Sequence, residues 1–185
     1  RYIHEYEGRA REMFRMLFNE DIPLNDRIDR FGSEAEKLVH KNHPDKGAFQ
    51  DERTISAYLT FRYPDRYTFY KYSYYSSFTE ITGIDTESAG ERYEHYLTLI
   101  SDLIENFIKE DDELIELSRS TLTEDCYVDD NYNILAQDIL YRTMEGEKEK
   151  EDDFFEVLKT VGLDNAKRFF NYLENITSRV GIQSN

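Results

Sequence analysis

Between residues 53 and 78 the chain concentrates ten aromatic rings: Tyr58, Phe61, Tyr63, Tyr67, Phe69, Tyr70, Tyr72, Tyr74, Tyr75 and Phe78. Four cations, Arg53, Arg62, Arg66 and Lys71, are interleaved with them against a single acid, Asp65. Aromatic faces stack on unpaired bases and interleaved cations meet phosphate, so this composition suits single-stranded or flipped nucleic acid. On that reading Tyr67, Tyr70, Tyr72, Tyr74 and Tyr75 stack, and Arg53, Arg62, Arg66 and Lys71 surround the backbone. The competing reading is a core. Tyrosine rings at helical spacing pack inward with the hydroxyl at the edge.

Other residue types with chemical potential are sparse. Neither a GxxxxGK[ST] phosphate loop nor a GxGxxG turn is present, and HExxH, CxxC and EF-hand patterns are missing too. His40 and His43 lie three apart and could touch one metal, but no third ligand is in view. The acids of 122–130 offer oxygen ligands to a divalent cation, without the spacing of a known loop. Solubility charge and helix capping account for them as well. Cys126 stands alone, without a neighbouring cation to lower its pKa, which points to a semi-buried or idle thiol. Neither a catalytic set nor a metal set is therefore assigned, and no cofactor is expected in this stretch of chain.

The elements that must carry these residues read as helices. Residues 3–18 place Tyr6, Ala10, Met13, Phe14, Leu17 and Phe18 on one face. A short helix holding Leu24, Ile28 and Phe31 is expected to break at Gly32-Ser33, with Ser33 capping a third. Asp51 suits an N-cap for a helix over 52–62, with Ile55, Tyr58, Leu59 and Phe61 or Arg62 inward, and Pro64 ends it. Tyr67–Lys71 has β propensity and forms at most a tiny ribbon. Ser73 caps a helix closed by Gly83. The longest helix, 91–109, carries a stripe from Tyr93 and Tyr96 to Phe107 and Ile108. Asp111 or Asp112 restarts a helix, and Asp130 or Asn131 caps the next, through Ile134, Leu140 and Met144. Helices at 152–160 and 163–180 complete an all-α, irregular multi-helix bundle. It divides into a helical accessory domain (1–145) and a C-terminal helical segment (146–185) packed on it or linked to it.

The 185 residues suffice for one sizeable core. Opening on Arg1 instead of Met, the chain is expected to be a stretch of a longer one. With a single cysteine, no internal disulfide is possible. The net charge of −16 opposes indiscriminate nucleic-acid binding. Residues 84–156 hold 23 acidic and 6 basic side chains, so that stretch carries the whole imbalance and the remainder is near neutral. No apolar run is long enough for a membrane span, and a cytoplasmic location is expected.

The run Glu52-Arg53-Thr54-Ile55-Ser56-Ala57-Tyr58-Leu59-Thr60-Phe61-Arg62-Tyr63-Pro64-Asp65-Arg66-Tyr67-Thr68-Phe69-Tyr70-Lys71 resembles the region preceding the AAA+ motor of McrB-like restriction NTPases, a family specific for 5-methylcytosine. So does Asp125-Cys126-Tyr127 followed by Leu135-Ala136-Gln137-Asp138-Ile139-Leu140-Tyr141. The resemblance covers roughly residues 50–145. It implies a parent that hydrolyses GTP or ATP with Mg outside this chain, and that works with a nuclease subunit against modified DNA in phage defence. No hydrolytic residue transfers to a position here. The expected role is a non-catalytic accessory domain supporting modified-DNA targeting or assembly of the restriction complex. Its partners would be DNA, the parent's own NTPase domain, the nuclease subunit or another copy of the chain. The alternative is a protein–protein or oligomerisation module without nucleic-acid contact, through the apolar faces of helix 91–109 or 163–180.

Overall fold

The computed structural model describes residues 6–146 apart from Asn42. The expected helices at 152–160 and 163–180, and the second domain, lie outside the described residues. Within them the fold is all-α: α1 (Glu7–Leu17), α2 (Leu24–His40), α3 (Glu52–Arg62), α4 (Tyr72–Thr82), α5 (Arg92–Asn106), a 3-10 turn (Ile108–Glu110), α6 (Asp112–Ser120) and α7 (Asn133–Gly146). Helices α1 and α2 pack on one another, and α7 packs on α4 and α5.

Local signals set most boundaries. The Asp51 carboxylate accepts from the Thr54 amide at 2.9 Å and starts α3. Asp111 does the same for α6 through Leu114 N at 3.0 Å. Gly83, at φ 67°, ends α4, where Ile84 N donates to Thr79 O at 3.0 Å and Gly83 N to Glu80 O at 3.3 Å. Those paired bonds are a Schellman closure, and they require the left-handed residue that glycine supplies most cheaply.

Two expectations are corrected. Gly32 does not break a helix, because α2 runs continuously past it. A Cβ there would stand 3.2 Å from the Gln50 carbonyl, so glycine admits the approaching 47–50 loop. Its helix-propensity cost of about 1 kcal/mol is offset by that packing. The α7 cap is Asp129, whose carboxylate accepts from Ile134 N at 2.8 Å and Leu135 N at 3.0 Å. Tyr132, at φ 59°, turns the chain between them. At Tyr67–Lys71, where at most a tiny ribbon was expected, no strand occurs among the described residues. The segment runs between α3 and α4, its Tyr67 amide donating to the Tyr63 carbonyl at 3.1 Å and two further amides to side chains. Phe69 N donates to Gln137 Oε1 at 2.8 Å, and Tyr70 N donates to Ser56 Oγ at 3.0 Å.

The core is strongly aromatic. Tyr93 of α5 sits 5.7 Å from Tyr70 and 6.5 Å from Tyr67, centroid to centroid, and Tyr70 meets Tyr96 edge-on at 5.6 Å. Tyr74 of α4 meets Tyr141 of α7 at 4.4 Å. Phe14 of α1 meets Phe31 of α2 and Tyr58 of α3, each at 5.1 Å. Offset and edge-to-face contacts of this kind add about 0.5–1.5 kcal/mol per pair beyond buried area.

Candidate functional site

The aromatic-cationic stretch divides into an inner and an outer set. Tyr67, Tyr70, Tyr74 and Tyr75 are all buried, between 0% and 6% exposed. They cannot stack on bases, and that expectation is corrected. The reason is packing: Tyr93 and Tyr96 of α5 lie against Tyr70, and Tyr141 of α7 lies against Tyr74. Burial pushes the Tyr70 and Tyr75 hydroxyls above their ordinary pKa, and the Tyr67 hydroxyl likewise. They therefore stay neutral through physiological pH and carry no acid–base role there.

Two of the cations are internally engaged. Arg66 binds Glu20 at 3.0 Å and Asp65 at 3.5 Å. Lys71 lies 4.0 Å from the Tyr74 ring centroid. The expectation that they meet phosphate is weakened by these contacts. Tyr72 is half-exposed beneath Arg92, whose guanidinium is 4.7 Å from its centroid. Arg62 is exposed and rests 4.7 Å from the Tyr63 centroid. Arg53 is exposed and has no ion pair among the described residues. Of the nine expected contact residues, only Arg53, Arg62 and Tyr72 present themselves outward without a carboxylate attached.

What the structure exposes instead is apolar. Phe61, in the last turn of α3, is 80% exposed, although helical spacing suggested an inward position. The buried face of α3 is Ile55, Ser56, Leu59 and Thr60, and Phe61 falls beyond it. Its ring meets the half-buried Phe69 edge-on at 5.4 Å. Val128 (61%), Tyr127 and Ile134 are also exposed, on the loop before α7 and in its first turn. Asn133 Nδ2 donates to Pro64 O at 3.3 Å, which fastens the start of α7 to the end of α3. Gln137 ties α7 to Phe69. Tyr127 stands near Asp65; burial first, then Asp129, Asp65 and Asp130, raise its phenol pKa. The end of α3 and the start of α7 are thus joined, with the exposed Phe61 ring on the first and acids on the loop that precedes the second. Exposed large apolar side chains gathered in one place mark interaction surfaces.

Comparison with protein-family models, with curated proteins and with solved structures returns no match to the chain.

Among the described residues no group of three or more His, Cys, Asp and Glu is placed to hold a metal ion. His40 Nε2 approaches Glu36 at 3.5 Å within α2. Cys126 is exposed instead of semi-buried, and the Thr123 hydroxyl and amide lower its thiol pKa. Among the described residues no helix is long and apolar enough to cross a membrane.

A cleft of about 670 Å³ opens elsewhere, beside the start of α2 and the middle of α5. At its base the buried Arg27 donates to Leu17 O at 3.0 Å, Glu20 at 2.6 Å and the Tyr67 hydroxyl at 2.9 Å. That cation is consumed by the fold. Sequence reasoning missed both this network and the role of Phe61. Helical phase could have flagged Phe61, since it lies four residues beyond Ala57 and eight beyond Arg53, away from Ile55 and Leu59.

Proposed function

We propose that this chain is a non-catalytic helical docking domain, which supports assembly of a larger protein machine through the exposed end of α3. The single observation that carries the reading is the inversion at the aromatic stretch. Its tyrosines are sealed inside, while Phe61 is turned out to 80% exposure. Apart from its edge contact with Phe69 the ring stands in water, and aromatic and arginine side chains are enriched at the centres of protein interfaces. The α3 helix itself lies outside the acidic 84–156 stretch. The resemblance to the region before the motor of McrB-like NTPases supplies a context. There the domain would position the parent's NTPase domain and its nuclease subunit.

The test compares the chain with a Phe61→Glu variant. Co-elution with the adjoining NTPase domain and the nuclease subunit is expected for the first and lost for the second. In parallel, fluorescence anisotropy with methylated and unmethylated duplexes at about 50 mM salt, where electrostatic binding is strongest, is expected to stay flat. Micromolar binding to either duplex that survives Phe61→Glu would replace docking by direct DNA recognition.

A further inference from the structure

The cleft of about 670 Å³ beside the start of α2 and the middle of α5 shares no lining residue with α3 or with the loop before α7. Helix α5 gives it one face: Glu94, Leu97, Thr98, Ser101 and Asp102, spaced i, i+3, i+4, i+7 and i+8. The connection between α1 and α2 adds Asp21 and Ile22. We infer that this cleft binds a basic, extended segment of a partner protein, with two lysine or arginine side chains four residues apart. It is a second surface, separate from the exposed end of α3.

Charge selects a cation. Asp21, Glu94 and Asp102 are exposed carboxylates of the lining, and Arg27 is the one basic side chain there. The Arg27 charge is already met by Glu20 at 2.6 Å. Asp21 and Glu94 form no ion pair among the described residues. The Glu94 carboxylate is held in place by Asn25, whose side-chain amide donates to it at 2.7 Å. These acids do not converge, because among the described residues no three metal-ligating side chains are placed to share an ion. Separated carboxylates suit separated cations. They repel phosphate, so nucleic acid does not fit the cleft.

Spacing and apolar surface select a peptide. Glu94 and Asp102 stand roughly 12 Å apart along α5, at a rise of about 1.5 Å per residue. Four residues of extended chain span about 13 Å and return the side chain to the same face. Leu97, half-buried between the two acids in sequence, and Ile22 offer apolar surface to aliphatic stems. Lysine and arginine bury such stems while their charged heads stay in water. At the base, the Arg27 Nε is buried without an acceptor among the described residues, while the other guanidinium nitrogens are engaged. A main-chain carbonyl supplies that acceptor, and an aliphatic polyamine has none.

The probe is an end-blocked Lys-Gly-Ser-Gly-Lys peptide, titrated into the isotope-labelled 185-residue chain and followed by amide NMR shifts. Shifts are expected at residues 20–24 and 94–102, weakening as salt rises from about 20 to 200 mM. Glu94→Gln and Asp102→Asn should each weaken binding about two- to fivefold, the range for one exposed ion pair, and together about tenfold. Glu116→Gln on α6, an exposed acid outside the cleft, and Phe61→Glu should leave it unchanged. A peptide with the two lysines adjacent should bind about two- to fivefold more weakly, having lost one of the two pairs. No shift in the cleft at about 1 mM peptide overturns the inference. So does an equal loss with Glu116→Gln, which marks a response to net charge alone. Equal binding of the adjacent-lysine peptide, or of spermidine, overturns the extended peptide as occupant. Co-elution through Phe61 is scored separately, so the two readings fail on different measurements.

Discussion

Gln137, on α7, accepts the backbone amide of Phe69 at 2.8 Å across 68 residues of sequence. This side-chain carbonyl takes the place of a neighbouring strand. Ser56, on α3, does the same one residue later for Tyr70. The crossing between α3 and α4 is therefore held by two side chains from two helices, and it carries Tyr67 and Tyr70 into the core.

Removing either acceptor strands an amide inside the molecule. Gln137→Leu and Ser56→Ala should each destabilise by about 1–3 kcal/mol, the range for an orphaned buried donor. The two sites serve adjacent amides, so the double variant should depart from the sum of the single ones. Urea unfolding of the four proteins measures this; strict additivity would mean that the crossing is not one unit.

Buried tyrosines should respond in opposite senses to loss of the hydroxyl. The Tyr70 hydroxyl is buried without a hydrogen-bond partner among the described residues. Tyr70→Phe is expected to be neutral or stabilising by up to about 1 kcal/mol. The Tyr93 hydroxyl donates to the Thr68 carbonyl at 2.9 Å in the interior. Tyr93→Phe should cost about 1–2 kcal/mol. Thermal melts ranking Tyr70→Phe below Tyr93→Phe would contradict the hydrogen-bond assignment.

Acid stability should depend on Glu20. Burial by itself would raise its pKa, but hydrogen bonds from Tyr67, Arg27 and Arg66 outweigh burial and lower it. A carboxyl with a lower pKa in the folded state releases its proton more readily there than in the unfolded chain. Its contribution is complete above the ordinary carboxylate range and fades as pH falls through the lowered folded value. Glu20→Gln should flatten that part of the acid limb in urea midpoints measured from pH 2 to 7. An unchanged limb would assign acid sensitivity to other carboxylates.

Gly83→Ala should destabilise by about 1 kcal/mol, because an L side chain at φ 67° opposes the Schellman closure of α4. Ala at Gly8, where a Cβ would meet nothing within 4 Å, should be neutral or stabilising and serves as the control. Equal melting temperatures for the two variants would argue against a demand for glycine at the end of α4.

Much of the helical framework was legible residue by residue. The caps at Asp51 and Asp111, the closure at Gly83 and the stripe from Tyr93 to Ile108 are local patterns, and local hydrogen bonding and helical phase decide them. Phe61 read as inward from its apolar type, although its register with Arg53 and Ala57 sets it off the Ile55–Leu59 face. Gly32 read as a break because propensity registers the missing side chain and not the Gln50 carbonyl that needs the space. The all-α class followed from the sequence by itself, because hydrophobic periodicity and capping act within a few residues. The tertiary structure alone decided that Tyr67, Tyr70, Tyr74 and Tyr75 are sealed from water. Burial depends on α5 and α7 arriving from 20 to 70 residues away, and no spacing within 53–78 encodes where those helices come to rest.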